Sequence, residues 1–155
     1  MPDQKQMSGP ISANHFYVKQ GFVAMYLFDA GESMIAFDTG MNSKTTLAEL
    51  EKLHVDPKRV THVLLTHSDR DRVGGLAAFP NAKVYLPKAE VAMLDHTTPR
   101  LLGFVYSKPL PFKYDLLDDN QVLAIRQCLD QVPIDPWSHR GIDVVSDQHL
   151  SAGRW

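Results

Sequence analysis

The sequence predicts an α/β fold, in which strands and helices alternate along the chain and pack as layers. Its apolar residues occur in short runs of strand length that are bounded by turn residues, with helix-like segments between them. The resulting order is a strand, a turn and a second strand, followed by helices and strands in alternation. At 155 residues the chain has the length of one domain with a substantial core.

The first predicted unit is a hairpin. Residues 15–19 and 22–28 have the pattern of strands, and the second is so apolar that we expect burial on both of its faces. A turn at 29–32 returns the chain through a strand at 34–37. Ser43 is then predicted to cap a helix that runs through Leu53.

The remaining elements follow the same logic. We predict strands at 60–66 and 83–86, a short helix at 76–79, and a helix from Pro87 to about Leu94. Residues 96–112 are apolar and rich in proline, which fits either a lid over a substrate or a connector packed on the core. A turn at 118–120 precedes a last strand that ends near Ile125.

Composition excludes several classes of function. The net charge of −2 and the lack of a basic run argue against nucleic-acid binding. The longest apolar stretch, residues 22–28, is too short to cross a bilayer, so no membrane partner is expected. Cys128 is the single cysteine, and the first residues lack the apolar core of a signal peptide. We therefore expect a cytoplasmic location, and nothing in the sequence indicates an oligomeric state.

The segment most informative about function is 66–75, Thr-His-Ser-Asp-Arg-Asp-Arg-Val-Gly-Gly, directly after an apolar run. His67, Asp69 and Asp71 alternate, so an extended chain would point their side chains to the same side. One imidazole and two carboxylates that converge beyond a strand end suit a divalent cation. The alternative is a solvated loop of mixed charges.

This segment resembles the loop of the metallo-β-lactamase-fold hydrolases, written Thr-His-x-His-x-Asp-His-x-Gly-Gly. His67 matches the first histidine, Asp71 matches the aspartate, and the two final glycines match the glycine pair. Asp69 replaces the second histidine and can still bind a metal. Arg72 replaces the last histidine and cannot.

Residues 1–13 are polar, and we expect them to be loose. The resemblance implies an αββα sandwich, of which residues 14–125 would form the N-terminal half. It also implies hydrolysis of an ester, thioester, lactone, amide or phosphodiester bond in a small-molecule substrate by metal-activated water. The implied cofactor is Zn, or else Mn or Fe, and its ligands are His67, Asp69 and Asp71.

Further roles follow from the same resemblance. Asp71 is expected to be catalytic as well as a ligand. Asp38, in the string Phe-Asp-Thr-Gly, and Thr66 are expected to support the metal loop from below. For Asp38 a simple turn-forming role is the alternative.

From residue 126 the chain departs from the family pattern. A second motif, Thr-Pro-Gly-His-Thr, is expected there with another metal-binding histidine, and later a Gly-Asp pair and a final histidine. Residues 126–155 contain none of these, so we interpret them as an aberrant tail that packs poorly. Together with Arg72, this tail predicts weak metal binding and an impaired or inactive copy. The alternative is a non-catalytic α/β fragment or a binding module without metal.

A frameshift is the expected cause of this tail. If the codons from Asp135 to Ser146 are read from their second base, Trp137 forces Gly. The neighbouring codons then allow the whole string Thr-Pro-Gly-His-Thr-Gly-Ala-Ser-Met-Ser-Tyr-Leu. The alternative is a natural, divergent C-terminus that happens to fit.

The coding DNA tests this hypothesis. We expect its shifted codons from Asp135 to Leu150 to spell Thr-Pro-Gly-His-Thr and an uninterrupted continuation. A stop codon inside that window would refute the frameshift.

Overall fold

The computed structural model describes residues 7–100 and 108–125, and the backbone of 143–145. The strands are β1 (Gly9–Pro10), β2 (His15–Gln20), β3 (Val23–Asp29), β4 (Met34–Phe37), β5 (Val60–Leu64), β6 (Lys83–Pro87), β7 (Asp115–Leu117), β8 (Val122–Ala124) and β9 (Asp143–Val145). The α-helices are α1 (Ser43–Lys52), α2 (Arg70–Val73) and α3 (Val91–Leu94). Short 3-10 turns occupy Pro57–Arg59, Leu76–Ala78 and Lys88–Glu90.

The main element is one seven-stranded sheet in the order β1-β2-β3-β4-β5-β6-β7. β1 to β4 pair antiparallel, as the predicted hairpin requires. β4 to β7 pair parallel, because each of their connections crosses over the sheet before the next strand. The predicted α/β class is confirmed.

The two faces of the sheet are covered differently. On one face the central strands pack with Leu50 of α1 and with Phe79, and Met25 and Leu65 belong to the same buried cluster. A second cluster joins strand residues, such as Phe28, to residues in and just after β8; its members are Phe28, Ala30, Ile35, Leu64, Tyr85, Leu117 and Ile125. The sheet therefore lies between a helical layer and a small second sheet, β8-β9.

β9 lies inside the segment that we expected to be aberrant. Its backbone pairs in parallel with β8, with Leu123 opposite Val144. The rest of 126–155 lies outside the described residues, so the expected poor packing of the tail stays a prediction. Residues 101–107, within the expected lid or connector, also lie outside them; nearer its end, Leu110 and Phe112 pack against the first cluster.

Three local expectations were wrong. β3 is not buried on both faces: Tyr26 is 46% exposed, although its ring lies 5.6 Å from that of Tyr17. The helix cap is Asn42, whose Oδ1 accepts the Thr45 N–H, and Ser43 is the first helical residue. The part of the N-terminus from residue 7 to 13 is not loose, because β1 pairs with β2 and Ser8 Oγ donates to Glu49 Oε2; residues 1–6 lie outside the described residues.

No helix among the described residues combines the length and apolarity needed to span a bilayer.

Candidate metal centre

The candidate centre lies at the carboxyl ends of β4, β5 and β6. Asp38 follows β4 directly, residues 66–71 follow β5, and Glu90 follows β6. These strands are neighbours in the parallel part of the sheet, with Phe37 opposite Leu64 and Leu64 opposite Tyr85. Loops at the carboxyl ends of parallel strands meet at one edge, where α/β sheets commonly bind ligands.

The loop after β5 is extended only as far as Asp69. There the backbone has φ −73° and ψ 154°, and α2 begins at the next residue. The expectation of an extended chain through Asp71 was therefore wrong. The three side chains still converge, because Asp71 lies in the first turn of α2, four residues after His67.

His67, Asp69 and Asp71 come together as predicted. His67 Nε2 lies 3.6 Å from Asp69 Oδ2 and 4.0 Å from Asp71 Oδ1. One ligand atom from each residue falls within 4.8 Å of the others. The other ring nitrogen of His67, Nδ1, lies 2.9 Å from Thr66 Oγ, so Nε2 is the nitrogen that faces the carboxylates.

Each carboxylate in this group also has an arginine partner. Arg100 Nε lies 3.0 Å from Asp69 Oδ1, and Arg72 Nε lies 3.3 Å from Asp71 Oδ2. These are the oxygens that do not face His67 Nε2. Each arginine thus binds one oxygen of its partner and leaves the other directed to the centre.

Arg72 contacts the support below the loop as well. Its Nη1 donates to the carbonyl of Ala24 at 3.1 Å and lies 3.5 Å from Asp38 Oδ2. Its Nε is buried and has no hydrogen-bond partner among the described residues, and its contact with Asp71 Oδ2 is an ion pair. Arg72 therefore fills the space beside Asp71 with a positive charge.

Asp38 supports the loop from below, where sequence reasoning expected it. Its Oδ1 accepts the Thr66 backbone N–H at 2.8 Å, and its two oxygens accept the Thr66 hydroxyl at 3.0 and 2.9 Å. Its backbone has φ +60°, a conformation that aspartate tolerates better than most residues. Burial raises the pKa of Asp38 to about 6, although the Thr66 hydrogen bonds and the Arg72 charge act in the opposite direction.

This raised pKa makes stability depend on pH. The folded state binds more protons than the unfolded state between the ordinary value of 3.8 and about 6, so the free energy of unfolding falls as pH rises through that range. The separation corresponds to about 3 kcal/mol. We expect Asp38→Asn to lose this pH dependence in urea unfolding at pH 4 to 7. Asp115→Asn, at an exposed strand position, should retain it, and identical pH profiles for wild type and Asp38→Asn would contradict the expectation.

Two glycines allow the loop to pack closely on the chain after β4. A Cβ on Gly74 would lie 2.0 Å from the Met41 carbonyl oxygen, and one on Gly75 would lie 1.9 Å from the Thr39 carbonyl oxygen. Gly75 N–H also donates to the carbonyl of Gly40 at 3.1 Å. Any side chain at either position would push residues 66–75 away from the chain after β4.

Sequence reasoning missed a second support, formed by Ser68, Glu90 and Arg100. Glu90 Oε2 accepts the Ser68 N–H at 2.8 Å and the Ser68 hydroxyl at 2.9 Å, and it pairs with Arg100 Nη2. Burial acts to raise the pKa of Glu90, but the hydrogen bonds from Arg100 and Ser68 outweigh it and the pKa is lowered. No local pattern in the sequence indicates this network, because Glu90 and Arg100 lie 22 and 32 residues after Ser68.

The donor set fits one divalent cation. An imidazole nitrogen and two carboxylate oxygens are ligands that zinc, manganese and iron accept, and three protein ligands are typical of catalytic zinc sites. The side chains of His67, Asp69 and Asp71 are 29%, 40% and 30% exposed, respectively, so an ion can reach them from solvent. Beside Asp71, the guanidinium of Arg72 does not fit a second cation.

The family model described as the metallo-beta-lactamase superfamily matches residues 18–145. The match begins in β2 and reaches the end of β9, beyond the expected domain boundary at residue 125. Two curated relatives, from Mycobacterium tuberculosis and Mycobacterium bovis, are each named a probable metallo-hydrolase. Both are 36% identical over 50 residues, which are 32% of this chain and 16% of the relative.

Solved structures share the fold. A β-lactamase from Chitinophaga pinensis aligns with a TM-score of 0.61 and 24% identity, over 83% of this chain and 48% of that one. A metallo-β-lactamase from Novosphingobium pentaromativorans aligns with a TM-score of 0.59 and 20% identity, over 88% and 53%. One from Cronobacter sakazakii with a HARLDQ motif aligns with a TM-score of 0.60 and 18% identity, over 75% and 48%. The chain thus spans about half the length of these solved relatives.

Proposed function

Because the chain belongs to the metallo-beta-lactamase superfamily, we propose that it is a metal-dependent hydrolase whose cation is held by His67, Asp69 and Asp71. The observation that carries the proposal is the convergence of one imidazole nitrogen and two carboxylate oxygens within 4.8 Å. Their position at the carboxyl ends of the parallel strands of the sheet supports it further.

The cation, its ligands and Asp38 have different proposed roles. When bound, Zn, Mn or Fe would lower the pKa of a water molecule and polarise a carbonyl or phosphoryl oxygen of the substrate. His67 offers Nε2 because Thr66 occupies its other nitrogen. Asp71 Oδ1 faces the centre and would bind the cation, and the Asp71 carboxylate is the group that we propose accepts a proton from the attacking water. Asp38 holds Thr66 and with it the start of the loop.

The proposed substrate is a small molecule with an ester, thioester, lactone, amide or phosphodiester bond. The fold does not choose among these, because one scaffold can carry many chemistries. The partly exposed triad supports access by a molecule from solvent.

Two solved relatives support a centre with fewer histidines. The HARLDQ motif of the Cronobacter sakazakii protein, like residues 67–72, has histidine first and aspartate fifth, and it has no histidine at its third or sixth place. Another relative is a B3 metallo-β-lactamase with an active-site glutamic acid. We infer that replacement of histidines at Asp69 and Arg72 alters the centre without removing it.

We expect at most one cation per chain, bound weakly. Arg72 places a fixed positive charge beside Asp71, where two unit charges about 4 Å apart repel by roughly 4 kcal/mol at an effective dielectric near 20. Elemental analysis after dialysis against Zn²⁺ should give a ratio of one or less. Two tightly held ions per chain would contradict this interpretation of Arg72.

Hydrolysis of a substrate panel separates an impaired hydrolase from a non-catalytic module. The panel holds a nitrophenyl ester, a thioester, a lactone, a β-lactam and a phosphodiester. We expect slow hydrolysis of at least one member, lost on chelation and in Asp71→Asn, but retained in Asp115→Asn. A Zn²⁺-loaded chain that hydrolyses none of them would favour the binding module instead.

A further inference from the structure

We propose that Arg100 is a positioning residue that selects which oxygen of Asp69 faces the cation, and that Glu90 fixes Arg100 for this task. The inference rests on the proposed function, because it concerns the same group of ligands. Arg100 and Glu90 both lie outside the segment 66–75.

The orientation of Asp69 is the first observation. A carboxylate on a loop can turn about its side-chain bonds and offer either oxygen, or both. Here Oδ1 lies 3.0 Å from Arg100 Nε, and Oδ2 lies 3.6 Å from His67 Nε2. Asp69 is also the most exposed of the three ligands, at 40%, so neighbouring side chains restrict it least. The short contact with Arg100 therefore orients this carboxylate.

The anchoring of Arg100 is the second observation. Its Nη1 donates to Glu90 Oε1 at 3.3 Å, its Nη2 pairs with Glu90 Oε2, and its Nη2 also donates to Ser68 Oγ at 2.7 Å. The Glu90 side chain is 8% exposed and the Arg100 side chain 18%. Because the same Glu90 oxygen binds the backbone N–H of Ser68, the anchor is tied to the residue that precedes Asp69.

The shape of the guanidinium matters here as well as its charge. Two nitrogens of its plane bind Glu90 while the third, Nε, is directed at Asp69. A lysine ammonium is a point charge without this planar fork, so it could neutralise Asp69 but not hold it in one orientation. The Arg100→Lys variant therefore separates orientation from charge.

The test measures Zn²⁺ affinity by competition with a chromophoric chelator, with thermal unfolding to verify that each variant is folded. Replacement of a residue that supports a metal ligand typically lowers the metal affinity by about 10- to 100-fold. We expect losses in that range for Arg100→Lys and Glu90→Gln. Ser68→Ala keeps both charges and is the mildest change, so we expect a loss of several-fold. Lys88→Ala, which removes the exposed pair with Asp118, should leave the affinity unchanged.

The Asp69→His background distinguishes positioning from a general structural role. A histidine there no longer needs a guanidinium to choose between two oxygens, so Arg100→Lys should have little effect on Zn²⁺ affinity in Asp69→His. An equal loss in both backgrounds, or folded single variants with unchanged affinity, would overturn the proposal while the metal function stands. A wild-type chain that binds no Zn²⁺ would instead overturn the metal function and the positioning role together.

Discussion

Gly75→Ala is expected to destabilise the protein by about 3 kcal/mol, the upper end of the usual cost of overpacking. The added methyl group would lie 1.9 Å from the Thr39 carbonyl oxygen and 2.4 Å from Thr46 Oγ. That carbonyl cannot simply move, because it accepts the Thr46 hydroxyl at 2.8 Å. Chemical denaturation would measure the change in the free energy of unfolding.

Gly9→Ala is the matched control for this change. A Cβ at Gly9 would have its nearest neighbour 4.0 Å away, at the Met7 carbonyl oxygen, so we expect no more than a few tenths of a kcal/mol. If both variants unfolded at the same denaturant concentration, the close packing of the loop on the chain after β4 would not matter for stability.

His67→Asn is expected to weaken Zn²⁺ binding by more than about 100-fold, beyond the range typical of supporting residues. It removes the only nitrogen donor of the group, and the remaining carboxylates already have arginine partners. Isothermal titration with Zn²⁺ gives the affinity. Stability should change little, because the ring is partly exposed and its Nδ1 lies 2.9 Å from the hydroxyl of the neighbouring Thr66.

His54→Asn provides the control with the same chemical change. His54 is exposed and has φ +55°, a conformation that asparagine also accepts, so its replacement should leave the fold and the Zn²⁺ affinity intact. Equal Zn²⁺ affinities for the two variants would show that His67 does not bind the cation.

The strands could be predicted because their signal is local. The runs that became β2, β4, β5 and β6 contain several apolar or aromatic residues each and are of strand length. The convergence of His67, Asp69 and Asp71 could be predicted as well, because all three lie within five residues of one loop. The aspartate below them, Asp38, was identified only through the family resemblance.

The remaining features depend on contacts between distant parts of the chain. Nothing near Glu90 or Arg100 in the sequence indicates that they meet Ser68 behind the metal loop. The helical turn at α2 was missed because its four residues are too few to show a helical period. The exposed position of Tyr26 was missed because the run around it is apolar throughout, and burial depends on what covers each face.

The residues of the candidate centre follow β4, β5 and β6, so the ribosome adds them to the chain at different times. At a synthesis rate of roughly 5–20 residues per second, the 29 residues from Arg72 to Arg100 take about 1.5–6 s to make. During that interval the nascent chain already contains the three proposed ligands but lacks the guanidinium that we propose orients Asp69. Asp38, which supports the loop from below, is therefore synthesised before the proposed ligands, whereas Glu90 and Arg100 are synthesised after them.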